Sequence, residues 1–355
     1  MHPLLIPVVM PLLLATLMMG EYGLGRLLGT PTHSGEQTLN NLAVTIVYRI
    51  YGVAFAIAPF FGYASAQQHL GLWEWSPLRP MDWLSAWLIL DFTMYWRHRA
   101  AHRIAALWSI HAVHHQSEEY NTTVTARASM FQDTVLVVMP LALLGVPLSM
   151  GMTVFAFISI VTFFSHTTLI GTLGWLDKVF VTPSVHRVHH GRNERYLDKN
   201  YGASLVLWDH LFGTYAAETE EVEYGVLDGL TSYDPLENNL SPWKTLIAKA
   251  QTAPTFTRGL LTFIMPPSWE PTSGKPRSFE TASPPRKEPA AAPLRLAIAT
   301  AIFMVATGIQ MGIAQSYTLT PLSIAGIALF GLALLGISGA MLERGHAPWH
   351  RGPQS

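Results

Sequence analysis

Histidine is concentrated in two short stretches of this chain. Five of the fifteen histidines lie within residues 98–115, where an even distribution would place fewer than one. They form an HxxxH pair followed by an HxxHH group, and a second HxxHH group comes later. Positions i, i+3 and i+4 share one face of an α-helix, so each group directs its imidazoles to one side. This spacing is typical of metal ligands. The residues are His98, His102, His111, His114, His115, His186, His189 and His190.

No charged residue occurs between Asp133 and Asp177, and most of this stretch is apolar. A ninth histidine, His166, lies near its end, after Phe163, Phe164 and Ser165. If this stretch enters and leaves a membrane, it returns His166 to the face where the other eight lie. Nine imidazoles exceed the four ligands of a structural zinc, so two metal ions are the economical interpretation. Imidazole nitrogen suits iron, zinc, copper and nickel rather than magnesium or calcium.

The remaining polar residues have weaker claims to the site. The chain has no cysteine, which excludes thiolate ligands, Fe–S clusters and disulfides. His210 is a weaker candidate that we expect to be structural, and five histidines lie outside any cluster. Most nearby carboxylates are expected to cap helices or pair with arginine, although some could offset the charge of the metals. These are Asp91, Glu118, Glu119, Asp133, Asp198 and Asp209, and the five outlying histidines are His2, His33, His69, His346 and His350.

The composition indicates a membrane protein. Half of the residues are hydrophobic and only 13% are charged, whereas soluble domains carry about 25% charged residues. The net charge of −1 gives no basic field, which argues against nucleic acid as a partner.

Apolar segments divide the chain and predict an all-α integral membrane protein with a cytosolic helical cap. We expect membrane helices near residues 3–20, 42–61 and 83–96, and two crossings between 134 and 176 with a turn at 145–151. The polar tail at 266–293 is expected to be a mobile connector before a last hairpin over 294–314 and 321–341. The predicted divisions are N-terminal membrane helices (1–82), a metal domain (83–216), a cytosolic polar connector (217–293) and a C-terminal membrane hairpin (294–345). Basic residues place the N-terminus outside and the histidines in the cytosol.

The order of the histidine motifs resembles the fatty acid hydroxylase/sterol desaturase superfamily, which comprises integral-membrane non-haem di-iron enzymes. The resemblance covers roughly residues 83–214. Within that superfamily, HHQSEEYN at 114–121, HHGRN at 189–193 and NYG at 200–202 are similar to the alkylglycerol monooxygenase branch. PSWEP at 267–271 and GKPR at 274–277 are similar to it as well.

The resemblance implies that the nine histidines supply most or all ligands of two iron ions, which use O2 to attack a C–H bond. Hydroxylation of a membrane lipid is the expected reaction, and desaturation of a sterol or fatty acyl chain is the alternative. The branch uses a reduced pterin, for which Glu118 and Tyr120 are the candidate binding residues. We see no dinucleotide fingerprint, so a separate reductase, ferredoxin or cytochrome is the expected electron donor. The expected location is a bacterial inner membrane, or the endoplasmic reticulum in a eukaryote.

Two other classes compete with a lipid hydroxylase. A membrane metal transporter would place its ligands near the middle of several spans, whereas these clusters lie at helix ends. A zinc hydrolase would carry HExxH with a general-base glutamate, and the chain lacks this pattern.

Overall fold

The computed structural model describes residues 5–132, 136–230 and 232–277. The regular structure within these ranges is helical, apart from two isolated β-bridges, which confirms the all-α prediction for this part of the chain. The α-helices are α1 (Leu5–Leu27), α2 (Gly35–Leu70), α3 (Pro80–Arg103), α4 (Ala105–His115), α5 (Thr122–Ala126), α6 (Met139–Leu143), α7 (Leu148–Ser165), α8 (Pro183–His190), α9 (Leu207–Leu211), α10 (Pro235–Gln251) and α11 (Phe256–Ile264).

Local signals in the sequence explain where several helices begin. The Ser34 hydroxyl accepts a hydrogen bond from the Gln37 backbone at the start of α2. Thr182 and Asp234 cap α8 and α10 in the same way, and each is followed by a proline in the first turn. A capping oxygen satisfies a backbone N–H that has no partner inside the helix, and proline has no N–H to satisfy there.

The apolar core lies among α2, α3, α6 and α7. It is built on buried side chains that include Tyr63, Leu90, Leu141, Met150 and Ile158. One helix of the described residues, α7, is long and apolar enough to cross a membrane. The described parts of the apolar segments predicted near residues 3–20, 42–61 and 83–96 lie within α1, α2 and α3, each of which is longer than the apolar segment.

Of the two membrane crossings predicted between 134 and 176, the second coincides with the long helix α7, whereas the described residues of the first half contain no long helix. That half contains a 3-10 helix (Leu136–Val138) and the five-residue α6, which is about 7.5 Å long at 1.5 Å per residue. A membrane core is about 30 Å thick, so α6 does not cross it alone. Irregular backbone inside a membrane is tolerated where it is buried in protein, and α6 packs against α2 and α3.

The turn of this segment lies where it was predicted, at residues 144–147. Gly145 has a φ of +89°, and a side chain there would collide with the Trp73 carbonyl. The Leu144 carbonyl accepts hydrogen bonds from the Trp73 backbone and the Trp75 indole. The start of α7 therefore lies against the loop between α2 and α3. Gly151, by contrast, belongs to α7.

Residues 217–277 are more ordered than the predicted polar connector. α10 and α11 pack on each other and on α4, and Leu246 and Trp269 are buried. The overall polar composition of this region did not indicate helices. The two short helices are amphipathic, and their apolar residues allow them to pack on α4. The predicted C-terminal hairpin lies outside the described residues.

Candidate metal centre

The histidine motifs are carried by the ends of four helices. α3 and α4 are separated by a single extended residue, Ile104, at φ −121° and ψ 116°. The first N–H of α4, at Ala105, donates to the carbonyl of Met265 just beyond α11. His166 immediately follows α7, and α8 ends with His189 and His190. The local structure thus gathers four helix termini at one end of α7.

The structure brings all nine predicted histidines together in two groups. Within each group the nearest ring nitrogens, one from each residue, all lie within 4.8 Å of one another. No carboxylate of the described residues belongs to either group. Group A consists of His98, His102, His111, His115 and His189, and group B of His114, His166, His186 and His190.

Nε2 atoms face one another along group A. The Nε2 of His111 lies 3.0 Å from that of His98 and 3.1 Å from that of His115. The Nε2 of His115 is in turn 3.1 Å from that of His189. Two nitrogens bound to one ion at about 2.1 Å would be separated by about 3.0–3.4 Å for octahedral or tetrahedral angles. The spacing in group A is therefore the spacing of ligands around a shared ion.

Group B repeats this arrangement. The Nε2 of His166 lies 3.3 Å from that of His114 and 3.1 Å from that of His186. The His190 ring lies 4.7 Å from His114 and 4.9 Å from His186, between ring centres. Stacked rings of His115 and His190, 4.3 Å apart, place the two groups side by side.

Backbone carbonyls fix the proton of four rings on Nδ1. His98 and His189 donate from Nδ1 to the carbonyls of Tyr201 and Lys199, each at 3.0 Å. A carbonyl oxygen only accepts, so Nδ1 carries the proton and Nε2 keeps its lone pair. Metal-binding histidines are commonly oriented by such a bond. His114 and His166 are held in the same way by Arg127 (3.0 Å) and Thr162 (2.7 Å).

Two Nε2 atoms within the groups, those of His102 and His190, are buried and have no hydrogen-bond partner among the described residues. A buried polar atom without a partner costs about 1–3 kcal/mol, and coordination of an ion would satisfy it. The donor set therefore fits two metal ions that prefer nitrogen.

Burial keeps these imidazoles neutral. Desolvation lowers the pKa of His114 to about 4 and that of His189 to about 3. It also lowers the pKa of His115 and His186 well below the usual value, with neighbouring histidines as a further cause. Neutral imidazole is the form that binds metal, so these histidines can bind an ion at pH 7 without first losing a proton.

One loop, residues 198–202, supplies two of the orienting carbonyls. Asn200 adopts φ +54°, which is rare for a residue with a side chain. Its side-chain amide donates to the carbonyls of Val185 and Ala216, and its oxygen accepts from the Ala216 backbone. Asp209 accepts from the backbone N–H groups of Tyr201 and Gly202 at 2.7 and 2.8 Å. Asn200 and Asp209 thus fix the loop that holds His98 and His189.

Arg127 performs a similar task for His114. Its guanidinium is fully buried and donates to the Val113 carbonyl and to the side chains of Asn40, Asn41, Gln116 and Asn238. Burial lowers the pKa of Arg127 to about 9, so it remains charged at pH 7. All these acceptors are neutral, and they belong to or adjoin α2, α4 and α10. The residue ties three helices together while its own carbonyl orients His114.

The other candidates lie outside the two groups. The Tyr120 ring is buried, stacks on His166 and Tyr224, and donates from its hydroxyl to the Ser165 carbonyl. Glu118 accepts from Gln37 at 3.5 Å. His210 is exposed beside Tyr215 and belongs to neither group.

Asp198 pairs with arginine as expected, whereas Asp91 and Asp209 accept from backbone and side-chain N–H groups elsewhere in the protein. Asp91 is buried and accepts from the Ser204 backbone and the Trp208 indole, so it faces protein. Asp198 pairs with Arg103 at 2.6 Å, and Glu119 accepts from the Ser34 backbone. Asp209 acts on the metal groups indirectly, through the loop at 198–202. Asp133 lies outside the described residues.

Comparison with known proteins agrees with this geometry. The family model of the fatty acid hydroxylases matches residues 83–214, which contain all nine histidines. Human alkylglycerol monooxygenase is 34% identical over 255 residues, which cover 70% of this chain and 56% of that protein. The enzyme of that name from Xenopus tropicalis is 34% identical over 67% of the chain and 53% of its own length. The chain thus spans a little over half the length of these relatives.

A bacterial relative is also similar. The ornithine lipid hydroxylase OlsE of Rhizobium tropici is 36% identical over 132 residues, covering 36% of this chain and 40% of that protein. No solved structure matches the chain. Residues 83–214 form a domain of the fatty acid hydroxylase family, and the chain that carries it is similar to the alkylglycerol monooxygenases.

Proposed function

We propose that the protein is an O2-dependent membrane lipid hydroxylase with a histidine-ligated di-iron centre. The observation that carries this proposal is the convergence of nine neutral imidazoles into groups A and B. The family match and the names of the relatives support hydroxylation of a lipid. The enzyme class that follows is a non-haem monooxygenase.

Two ions in the paired groups are better explained by iron than by zinc. A structural zinc takes four ligands in a closed tetrahedron, whereas group A offers five nitrogens. When bound, two irons would supply the activation of O2 and the removal of hydrogen from an unactivated C–H bond. One oxygen atom enters that bond and the other leaves as water, with two electrons and two protons from the donor.

The residues of the chain hold and orient this centre. The carbonyls of Lys199, Tyr201 and Arg127 keep Nδ1 protons away from the metal side of the rings. Trp108 covers the edge of group A, with its ring 4.9 Å from His102 and 5.5 Å from His115, and limits access of water there. The proposal places the centre where α7 leaves the bilayer on the cytosolic side, within reach of a lipid that enters from the membrane.

The substrate in this proposal is a membrane lipid with a polar head, such as an ether lipid or an amino-acid-headed lipid. The names of the alkylglycerol monooxygenases and of the ornithine lipid hydroxylase point to that class. Desaturation would follow if a second hydrogen were removed before oxygen is transferred. It remains the alternative outcome at the same centre.

The electron donor is proposed to be a separate reductase, ferredoxin or cytochrome, with a reduced pterin as the alternative. A pterin cannot stack on the Tyr120 ring without displacing His166 or Tyr224, which already stack on it. Glu118 is the more accessible of the two predicted pterin residues.

Comparison of lipid extracts tests the reaction. Cells that express the chain are expected to contain a lipid heavier by one oxygen, which is absent from cells that express His111→Ala. Loss of two hydrogens instead would assign a desaturase. No lipid change under aerobic growth, with the protein present in the membrane, would contradict a lipid substrate and leave the metal transporter as the better explanation.

A further inference from the structure

The last described helix presents a row of large apolar side chains to the outside. Phe256, Leu260 and Ile264 of α11 are 83%, 55% and 62% exposed. Their spacing of four residues places them on one face of the helix. Thr262 is buried on the other side, where α11 packs on α4 and α10. This row, residues 256, 260 and 264, is called the α11 stripe below.

The position of α11 fixes the depth of the stripe. The carbonyl of Met265, directly after α11, accepts from Ala105 at the junction of α3 and α4. The apolar part of α3 ends near Trp96, and Arg97, Arg99 and Arg103 follow it. Arginine after an apolar stretch marks the end of a membrane span. Ala105 is nine residues beyond Trp96, about 13 Å along a helix, and the stripe is about 12 Å long at 1.5 Å per residue, so the stripe is long enough to reach back to the level where α3 leaves the bilayer.

The charges near α11 suit a lipid surface. Residues 252–269 contain no aspartate or glutamate, and the carboxylate that follows them, Glu270, is paired with Lys249 at 3.2 Å. Lys275 and Arg277 are exposed just beyond it. A helix with a row of large apolar residues and basic neighbours is typical of segments that lie in the membrane interface. The chain also continues from residue 277 toward apolar segments that begin at 294.

We infer that the α11 stripe is immersed in the cytosolic leaflet of the same bilayer and anchors the metal domain on the membrane surface. The inference rests on the membrane location in the proposed function and adds a named anchoring element to it. Because α11 also caps the first turn of α4, which carries His111, His114 and His115, the anchor fixes the height of the metal centre above the lipid.

The chain has no cysteine, which permits a direct test in the full-length protein. Phe256→Cys, Leu260→Cys and Ile264→Cys each receive a nitroxide label, and the proteins are reconstituted in bilayers containing anionic lipid. Collision rates of the label with O2, which partitions into lipid, and with a water-soluble nickel chelate are then measured. Gln251→Cys and Glu221→Cys, at exposed polar positions, are the matched controls.

The ratio of O2 to nickel collisions is expected to be several-fold higher at the three stripe positions than at both controls. Free access of nickel to the stripe would overturn the inference. Protection from both reagents would overturn it too, because it would indicate a protein partner or another segment of this chain. Iron content and lipid turnover of the labelled proteins are measured in parallel, so failure of the anchor is distinguishable from failure of the proposed function.

Discussion

At the scale of single residues, the metal centre depends on imidazoles that are buried, neutral and aimed by backbone carbonyls. The histidine positions could be predicted from the sequence because a helix brings i, i+3 and i+4 to one side. Their division into groups A and B could not, since each group combines residues within or directly after three helices. His114 and His115 are neighbours in the chain and belong to different groups.

Replacement of a group A ligand tests this division. His189→Ala is expected to abolish turnover and to lower bound iron. The Nε2 of His189 lies 3.1 Å from that of His115 within group A, and its Nδ1 is held by the Lys199 carbonyl. The loss should exceed the ten- to hundredfold effect typical of a residue that only orients a ligand. His210→Ala, at an exposed histidine outside both groups, is the control and should retain both. Metal analysis and a turnover assay measure the difference, and normal iron and turnover in His189→Ala would contradict the assignment.

Asn200 gives a second test at this scale. Asn200→Ala removes three side-chain hydrogen bonds and retains the unfavourable positive φ, whereas Asn200→Gly removes the bonds and relieves the backbone. Both variants should bind iron more weakly by about ten- to hundredfold. Asn200→Ala should also unfold at a lower temperature than Asn200→Gly, by an amount that reflects about 1–2 kcal/mol of backbone strain. Equal stability of the two would contradict the backbone strain, and unchanged metal affinity would show that the side chain does not position the loop.

At the scale of elements, the site is assembled by helix ends, and the sequence carries signals for the bounds of several of these helices. Thr182-Pro183 and Asp234-Pro235 both mark helix starts. The second of them could have revealed α10 inside the region predicted to be a connector. The role of Arg127 could not be predicted, because its partners come from distant parts of the chain and include no carboxylate.

Arg127 therefore supplies the prediction for this scale. Arg127→Met leaves the side-chain oxygens of Asn40, Asn41 and Asn238 without their buried donor. A buried acceptor left without its donor costs about 1–3 kcal/mol, so the loss of donors to three buried side-chain oxygens should lower the free energy of unfolding by about 3 kcal/mol or more. The Arg258→Met control loses only hydrogen bonds to the exposed-loop carbonyls of Pro271 and Thr272 and should cost much less. Similar losses in both variants, measured by thermal unfolding in detergent, would argue against this role.

At the scale of the whole molecule, the two ends of α7 define a direction. Its first residues adjoin the loop between α2 and α3, and His166 follows its last residue. The topology expected from basic residues, with the histidines in the cytosol, agrees with this direction and remains a prediction. Hydropathy could not predict that the segment before α7 forms only the short helix α6. A buried irregular segment is as apolar as a membrane helix, so the two give the same hydropathy signal.

Reporter fusions test that topology. A reporter after Pro77, in the loop between α2 and α3, should report the outside, and one after Asp228 should report the cytosol. Both positions lie in exposed loops, so local folding is not disturbed. Equal signals from the two fusions would contradict the topology and the access of cytosolic electron donors.

The central claim is that groups A and B hold two irons that react with O2. The most direct measurement is iron content of the purified protein combined with O2 consumption after reduction by dithionite. Two irons per chain are expected. Removal of the iron with a chelator is expected to abolish O2 consumption. A chain that contains zinc in place of iron, or that consumes no O2 when two irons are bound, would contradict the central claim.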